Sequence, residues 1–139
     1  MDVIVLIGRI MFVFVFLTSG VAHFRARQMM AQYAGGKKVP APMAAVLAGG
    51  VLLLAGAVSV LLGIWADLGA LLLFLFLAPT AVLMHGFWRE TDPQARMTEM
   101  TQFSKDLGLA GAALMLFAFF SFAGDALDLT ITGPLFHLR

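Results

Sequence analysis

Hydrophobic residues run along this chain in long, nearly unbroken blocks, and polar residues gather in the gaps between them. A hydrocarbon layer about 30 Å thick is crossed by about 20 apolar residues in a helix. Val3 to Phe24, Pro42 to Trp65, Leu68 to Trp88 and a block centred on Phe103 to Ala123 all reach that length. The pattern predicts an all-α membrane protein, a four-helix transmembrane bundle of two antiparallel hairpins. Its helices are expected over about 3–24, 42–65, 68–88 and 93–123, with an irregular tail over 124–139. Asp92-Pro93 offers an N-cap followed by proline at the first helical position, so the fourth helix starts in water before it enters the apolar layer. Pro42 opens the second helix in the same way, and Pro79, inside the third, is expected to kink it.

The connections follow from their breakers. Arg25 to Ala41 carries Gly35-Gly36, Lys37-Lys38 and Pro40, and reads as a loop whose first part, RARQMMAQYA, can prolong the first helix. The second and third helices are joined by a short turn around Ala66-Asp67, which forces an antiparallel hairpin. In the tail, Leu127 to Thr132 alternates in polarity but has no partner strand, so it is read as irregular. The first apolar run is too long for a signal-peptide core and lacks a basic region ahead of it, so it is expected to be a retained helix.

With 61% hydrophobic residues in 139 and a mean hydropathy of +0.95, residues 1–139 form a single domain whose solvent is mostly lipid. The net charge of +1 is not arranged as a dense basic stripe, which argues against nucleic acid as a partner. The absence of cysteine excludes thiol exchange within the chain, persulfide chemistry and iron–sulfur ligation. No phosphate-binding glycine loop or serine nucleophile constellation is present. Charge does fix an orientation. The first and third connections share a side and hold Arg25, Arg27, Lys37, Lys38, Arg89, Arg96 and Lys105. The other side holds the termini, with Asp2, Asp67, Asp125, Asp128 and Arg139. Excess Lys and Arg stays in the cytoplasm, which puts both termini outside.

Small residues predict how the helices meet. Gly49, Gly56 and Gly63 recur at seven-residue spacing in the second helix, and Gly108 and Gly111 follow in the fourth. Such stripes let backbones approach closely in lipid. The two hairpins also align weakly when Leu6 is laid on Leu68, an alignment that places His23 on His85.

Candidate chemistry is sparse. Arg9 lies inside the first apolar block, where a charge is costly unless paired. A structural ion pair with Asp67 or Asp125 on the same side is expected, and Arg9 shares a helical face with His23. At the opposite level His23, His85, Trp88, Glu99, Gln102 and Lys105 gather as ligand-binding candidates. Glu99, Gln102 and Asp106 lie on one face of the fourth helix. Imidazole, carboxylate and amide groups at one level can donate to and accept from a quinone headgroup, and imidazole titrates near neutral pH. The same residues can instead cap helix ends and meet lipid headgroups, with Trp88 in an interfacial belt. No HxxxH or ExxH spacing appears, so no metal site is read.

LIGRIMFVFVFLTSGVAHF, the QYAGGKKVPAPMA loop, LLLAGAVSVLLGIWADLGALLL and HGFWRETDPQARMTEMTQFSKDLGLAGAALM together resemble the bacterial DoxX family of small four-helix membrane proteins. The telling pieces are Gly8-Arg9, Ser19-Gly20 with His23-Phe24, Val39 to Pro42, His85 with Phe87-Trp88, and Glu99, Phe103 and Lys105. The resemblance implies a bacterial inner-membrane protein linked with redox complexes, quinone metabolism, thiosulfate oxidation or oxidative-stress defence. Many relatives carry an acidic residue in the second helix where this chain has Leu52-Leu53-Leu54, so a role that needs that carboxylate is not carried over. The function expected is a membrane subunit of a redox assembly that binds a quinone or a redox-enzyme partner at the cytoplasmic interface. A non-catalytic assembly or binding protein, holding a lipid, a small molecule or a partner helix between its hairpins, is the alternative, and a homo-oligomer is the other partner state expected.

Overall fold

The computed structural model describes residues 2–138. Arg139, counted above on the outer side, lies outside the described residues. The chain forms α1 (Asp2–Arg25), α2 (Arg27–Gly36), α3 (Pro42–Leu62), α4 (Ala66–Met84) and α5 (Pro93–Ala123), with short 3-10 turns at Phe87–Arg89 and Gly124–Ala126. Among the described residues four helical segments are long and apolar enough to cross a membrane, and they contain α1, α3, α4 and α5. The fold is therefore an all-helical four-helix bundle.

Local chemistry explains where the helices start and stop. Pro42 opens α3 and Pro93 opens α5, and the Asp92 carboxylate accepts the Ala95 N–H at 2.7 Å. At about 1.5 Å per residue, the 31 residues of α5 reach about 46 Å, well beyond the hydrocarbon layer. Its first turns therefore stand clear of the lipid core. Gly63 ends α3 in the left-handed region (φ 65°), its N–H bonded to the Ser59 carbonyl. A β-carbon there would also strike Thr130 at 2.8 Å.

Two connections differ from the expectation. The first is not a loop throughout, because Arg27–Gly36 forms a helix of its own that buries Ala31 and Ala34. Nothing in RQMMAQYA breaks a helix, and the small alanines let that face settle on Val46 beside Met30, Val39 and Met84. The α3–α4 turn lies at Gly63–Trp65, so Asp67 is not in it but in the first turn of α4, fully buried. α4 runs on through Pro79, where the Thr80 hydroxyl donates to the Phe76 carbonyl at 2.6 Å.

Helices α1 and α3, α3 and α4, and α4 and α5 pack in pairs, and α2 lies on α3. The shared core contains Val13 and Phe16 of α1, Leu53 and Val60 of α3, Leu73 and Leu77 of α4, and Ala113 and Phe120 of α5. Gly49 faces the Phe76 ring and Gly56 sits against Leu73 and the Gly69 carbonyl, so α3 and α4 approach backbone to backbone near their turn. Gly108 and Gly111 do not pack within the bundle. Among the described residues nothing lies within 4 Å of a β-carbon built at either, so this face of α5 looks outward.

Candidate functional site

Glu99 lies in the early turns of α5, with its side chain turned under α2 and only 8% exposed. One carboxylate oxygen accepts the Tyr33 hydroxyl at 2.8 Å and the Lys37 ammonium at 2.8 Å. The other meets His85 Nδ1 at 2.8 Å. Lys37 also reaches Glu90 at 2.7 Å. Three separate stretches thus meet on one carboxylate. They do so because α4 ends at Met84, leaving His85 as a non-helical cap (φ −114°) beside α5. Two turns beyond Glu99 the same face of α5 carries Asp106, whose Oδ2 lies 3.6 Å from His85 Nε2. That separation is too long for a direct hydrogen bond. Lys105 donates to Gln102 at 2.6 Å and stands 3.4 Å from the other Asp106 oxygen.

Electrostatics in α2 follow from this arrangement. Burial works against the Lys37 charge, but its bonds to Glu90 and Glu99 win and hold the ammonium above the usual lysine range. Burial pushes the Tyr33 phenol up, and the neighbouring Glu99 carboxylate pushes it further.

Beside this network lies a cavity of about 610 Å³, walled by α1, α2, α3, α4 and α5. Most of its wall is hydrocarbon, including Phe16, Leu53, Phe76 and Leu83, and His23, His85, Lys105 and Asp106 supply polar groups. His23 Nδ1 lies 2.8 Å from the Ser19 carbonyl, and its ring meets Phe76 edge-on at 5.6 Å. Of the residues proposed from the sequence, His23, His85 and Lys105 line the cavity, and Glu99 stands behind His85. Trp88 and Gln102 are off its wall among the described residues. Trp88 packs edge-on against Phe87 and Phe103 and is half exposed. Sequence reasoning did not put Tyr33, Lys37, Glu90 or Asp106 among the site residues. Reading Arg25 to Ala41 as a loop that prolongs the first helix hid the separate helix on which Tyr33 meets Glu99, although a single tyrosine in so apolar a chain was the available cue. Among the described residues no His, Asp and Glu side chains converge as a metal-ligand group.

The opposite end of the bundle corrects the expectation for Arg9, which is 3% exposed. Its guanidinium pairs with neither Asp67 nor Asp125. It donates to the Val60 carbonyl at 2.8 Å, to the Leu61 carbonyl and to the Leu129 carbonyl at 2.6 Å. The physical reason is that a helix end leaves its last carbonyls without partners, and α3 ends at the level of Arg9. Asp67 instead accepts the backbone N–H groups of Leu135 and Phe136, at 3.0 and 2.6 Å, and so fastens the tail. Asp125 is exposed and 3.5 Å from His137.

A model of the DoxX family matches residues 4–86. The chain belongs to the DoxX family. No curated protein and no solved structure matches it. In this DoxX protein the matched region covers α1 to α4 and ends one residue after His85. His23, Tyr33, Lys37 and His85 therefore fall inside it, while Glu99, Lys105 and Asp106 come from α5 beyond. Family and apolar helices together make this DoxX protein a multi-pass membrane protein, in contact with lipid.

Proposed function

We propose that this DoxX protein is the membrane subunit of a redox assembly and binds a quinone-type headgroup in the cavity between α1 and α5. The observation that carries the reading is the cavity itself, a largely hydrocarbon space of about 610 Å³ in which two imidazoles, an ammonium and a carboxylate meet. Small-molecule sites have this size and this balance of many apolar and few polar groups. An isoprenoid-type tail suits Phe16, Leu53 and Phe76, and the ring's oxygens suit His23, His85 and Lys105. Glu99 acts through His85 Nδ1, fixing the ring's orientation. By the excess of Lys and Arg in the first and third connections, the site lies at the cytoplasmic face of a bacterial inner membrane with both termini outside. A redox-enzyme partner would then dock on that side.

The test is solvent extraction and mass spectrometry on protein purified in mild detergent, set against the His85→Ala, Glu99→Ala double variant. A stoichiometric quinone that is lost from the still-folded variant supports the reading. No enrichment over the bulk membrane sinks it. A phospholipid or a partner protein held in its place would make this a non-catalytic binding or assembly protein.

A further inference from the structure

The hydrogen-bonding sense of the cavity wall is set by how its two imidazoles are already committed. His23 Nδ1 faces the Ser19 carbonyl at 2.8 Å, and a carbonyl only accepts, so Nδ1 carries the hydrogen. His85 Nδ1 faces Glu99 Oε2 at 2.8 Å, and that carboxylate already takes Tyr33 and Lys37 as donors, so it too acts as acceptor. In each neutral ring the remaining nitrogen, Nε2, is then an acceptor. Neither Nε2 has a hydrogen-bond partner among the described residues. Neither is sealed in, because among the described residues the Ser121 hydroxyl is the only buried side-chain polar atom left without a partner. Asp106, also on the wall, adds a carboxylate 3.6 Å from His85 Nε2.

Donors on the wall are mostly occupied. The Thr80 hydroxyl is bonded to the Phe76 carbonyl and the Tyr33 hydroxyl to Glu99, while Lys105 directs one N–H at Gln102, stands beside Asp106 and keeps a further N–H for a ligand oxygen. The Ser19 hydroxyl can serve in either sense. A quinone ring offers two carbonyl acceptors and would meet both histidines acceptor to acceptor. A hydroquinone offers two O–H donors.

We infer that the cavity selects by hydrogen-bond polarity and holds the hydroxyl-bearing, reduced headgroup, a hydroquinone, in preference to the quinone. The inference rests on the quinone-type reading above and adds the redox form that the site is built for. Leaving a buried acceptor facing another acceptor weakens binding by about tenfold or more.

The experiment measures binding of a short-chain benzoquinone and of its dithionite-reduced hydroquinone to the full chain in detergent. It is run by equilibrium dialysis, without oxygen, at mildly alkaline pH. The reductant leaves the protein unchanged, because the chain has no cysteine. The expected result is hydroquinone binding at least about tenfold tighter, with His23→Phe bringing the two forms close together by weakening the hydroquinone alone. Should His23→Phe fail to fold, His85→Asn replaces it, and the two-form comparison on the unaltered chain stands by itself. Quinone binding as tight as hydroquinone, or tighter, overturns the inference and leaves the proposed function standing. If neither form binds the folded protein, both readings fall.

Discussion

At the α3–α4 end of the bundle, Arg9 meets three backbone carbonyls and Asp67 meets two backbone N–H groups, and all of these partners belong to the chain's own backbone. At the other end, Glu99 is equally well bonded, but what it holds is the side chain of His85, and that residue lines a cavity. Both ends bury charge in an apolar protein, which is costly. The first end satisfies that charge completely and fastens the tail to the helices. The second passes hydrogen-bonding capacity on to a ring edge that makes no direct hydrogen bond among the described residues and has the Asp106 carboxylate 3.6 Å away. Burial of charge alone therefore does not mark a functional site in this fold. An open hydrogen-bonding valence beside an apolar space does.

The largest expected effects break the comparison if they are absent. Arg9→Met and Asp67→Ala should each lower the unfolding free energy by about 3 kcal/mol, since each removes several charge-assisted bonds to buried backbone. His85→Asn should cost less than about 1 kcal/mol, because it touches two side chains and no backbone strap. Thermal melts in detergent decide this, and a His85→Asn loss as large as that of Arg9→Met would make both ends structural.

A second, smaller contrast concerns the glycines. Gly56→Ala places a methyl group 2.8 Å from Leu73 and 2.9 Å from the Gly69 carbonyl, an overpacking that costs about 2 kcal/mol. Gly108→Ala and Gly111→Ala meet nothing and should stabilise α5 by about 0.5 kcal/mol. The same melts separate them, and a marked loss from either α5 variant would reveal a partner on that face.

The smallest effect is spectroscopic. Tyr33 is the chain's only tyrosine, so ultraviolet absorbance follows its ionisation without interference. Burial and Glu99 raise its pKa, so the fold favours the protonated phenol. The contribution of this bond is present below the ordinary tyrosine value and is lost as pH rises through the higher folded one. The titration midpoint should lie above that of free tyrosine, and Glu99→Gln should move it back. A midpoint at or below the free value would mean that Tyr33 does not hold Glu99, and α2 would lose its place in the site.

The spans, the Asp92 cap, the openings at Pro42 and Pro93 and the gathering of basic residues in two connections are all written locally in the chain. They follow from the length of an apolar block and from the backbone chemistry at its edges, which do not depend on any distant residue. His23, His85 and Glu99 were legible as one level of the bundle for the same reason. What occupies each charge was not. Arg9 finds Leu129, 120 positions away, and Asp67 finds Phe136, 69 away, and both partners are backbone groups that carry no mark in the side-chain sequence. The separation of α2 from α1, the tie from Tyr33 to Glu99 and the shared cavity of His23 and His85 were likewise decided by tertiary packing. Hydrophobic pattern specifies which segments enter lipid, but only the folded neighbours determine which buried polar atoms are satisfied and which remain open to a ligand.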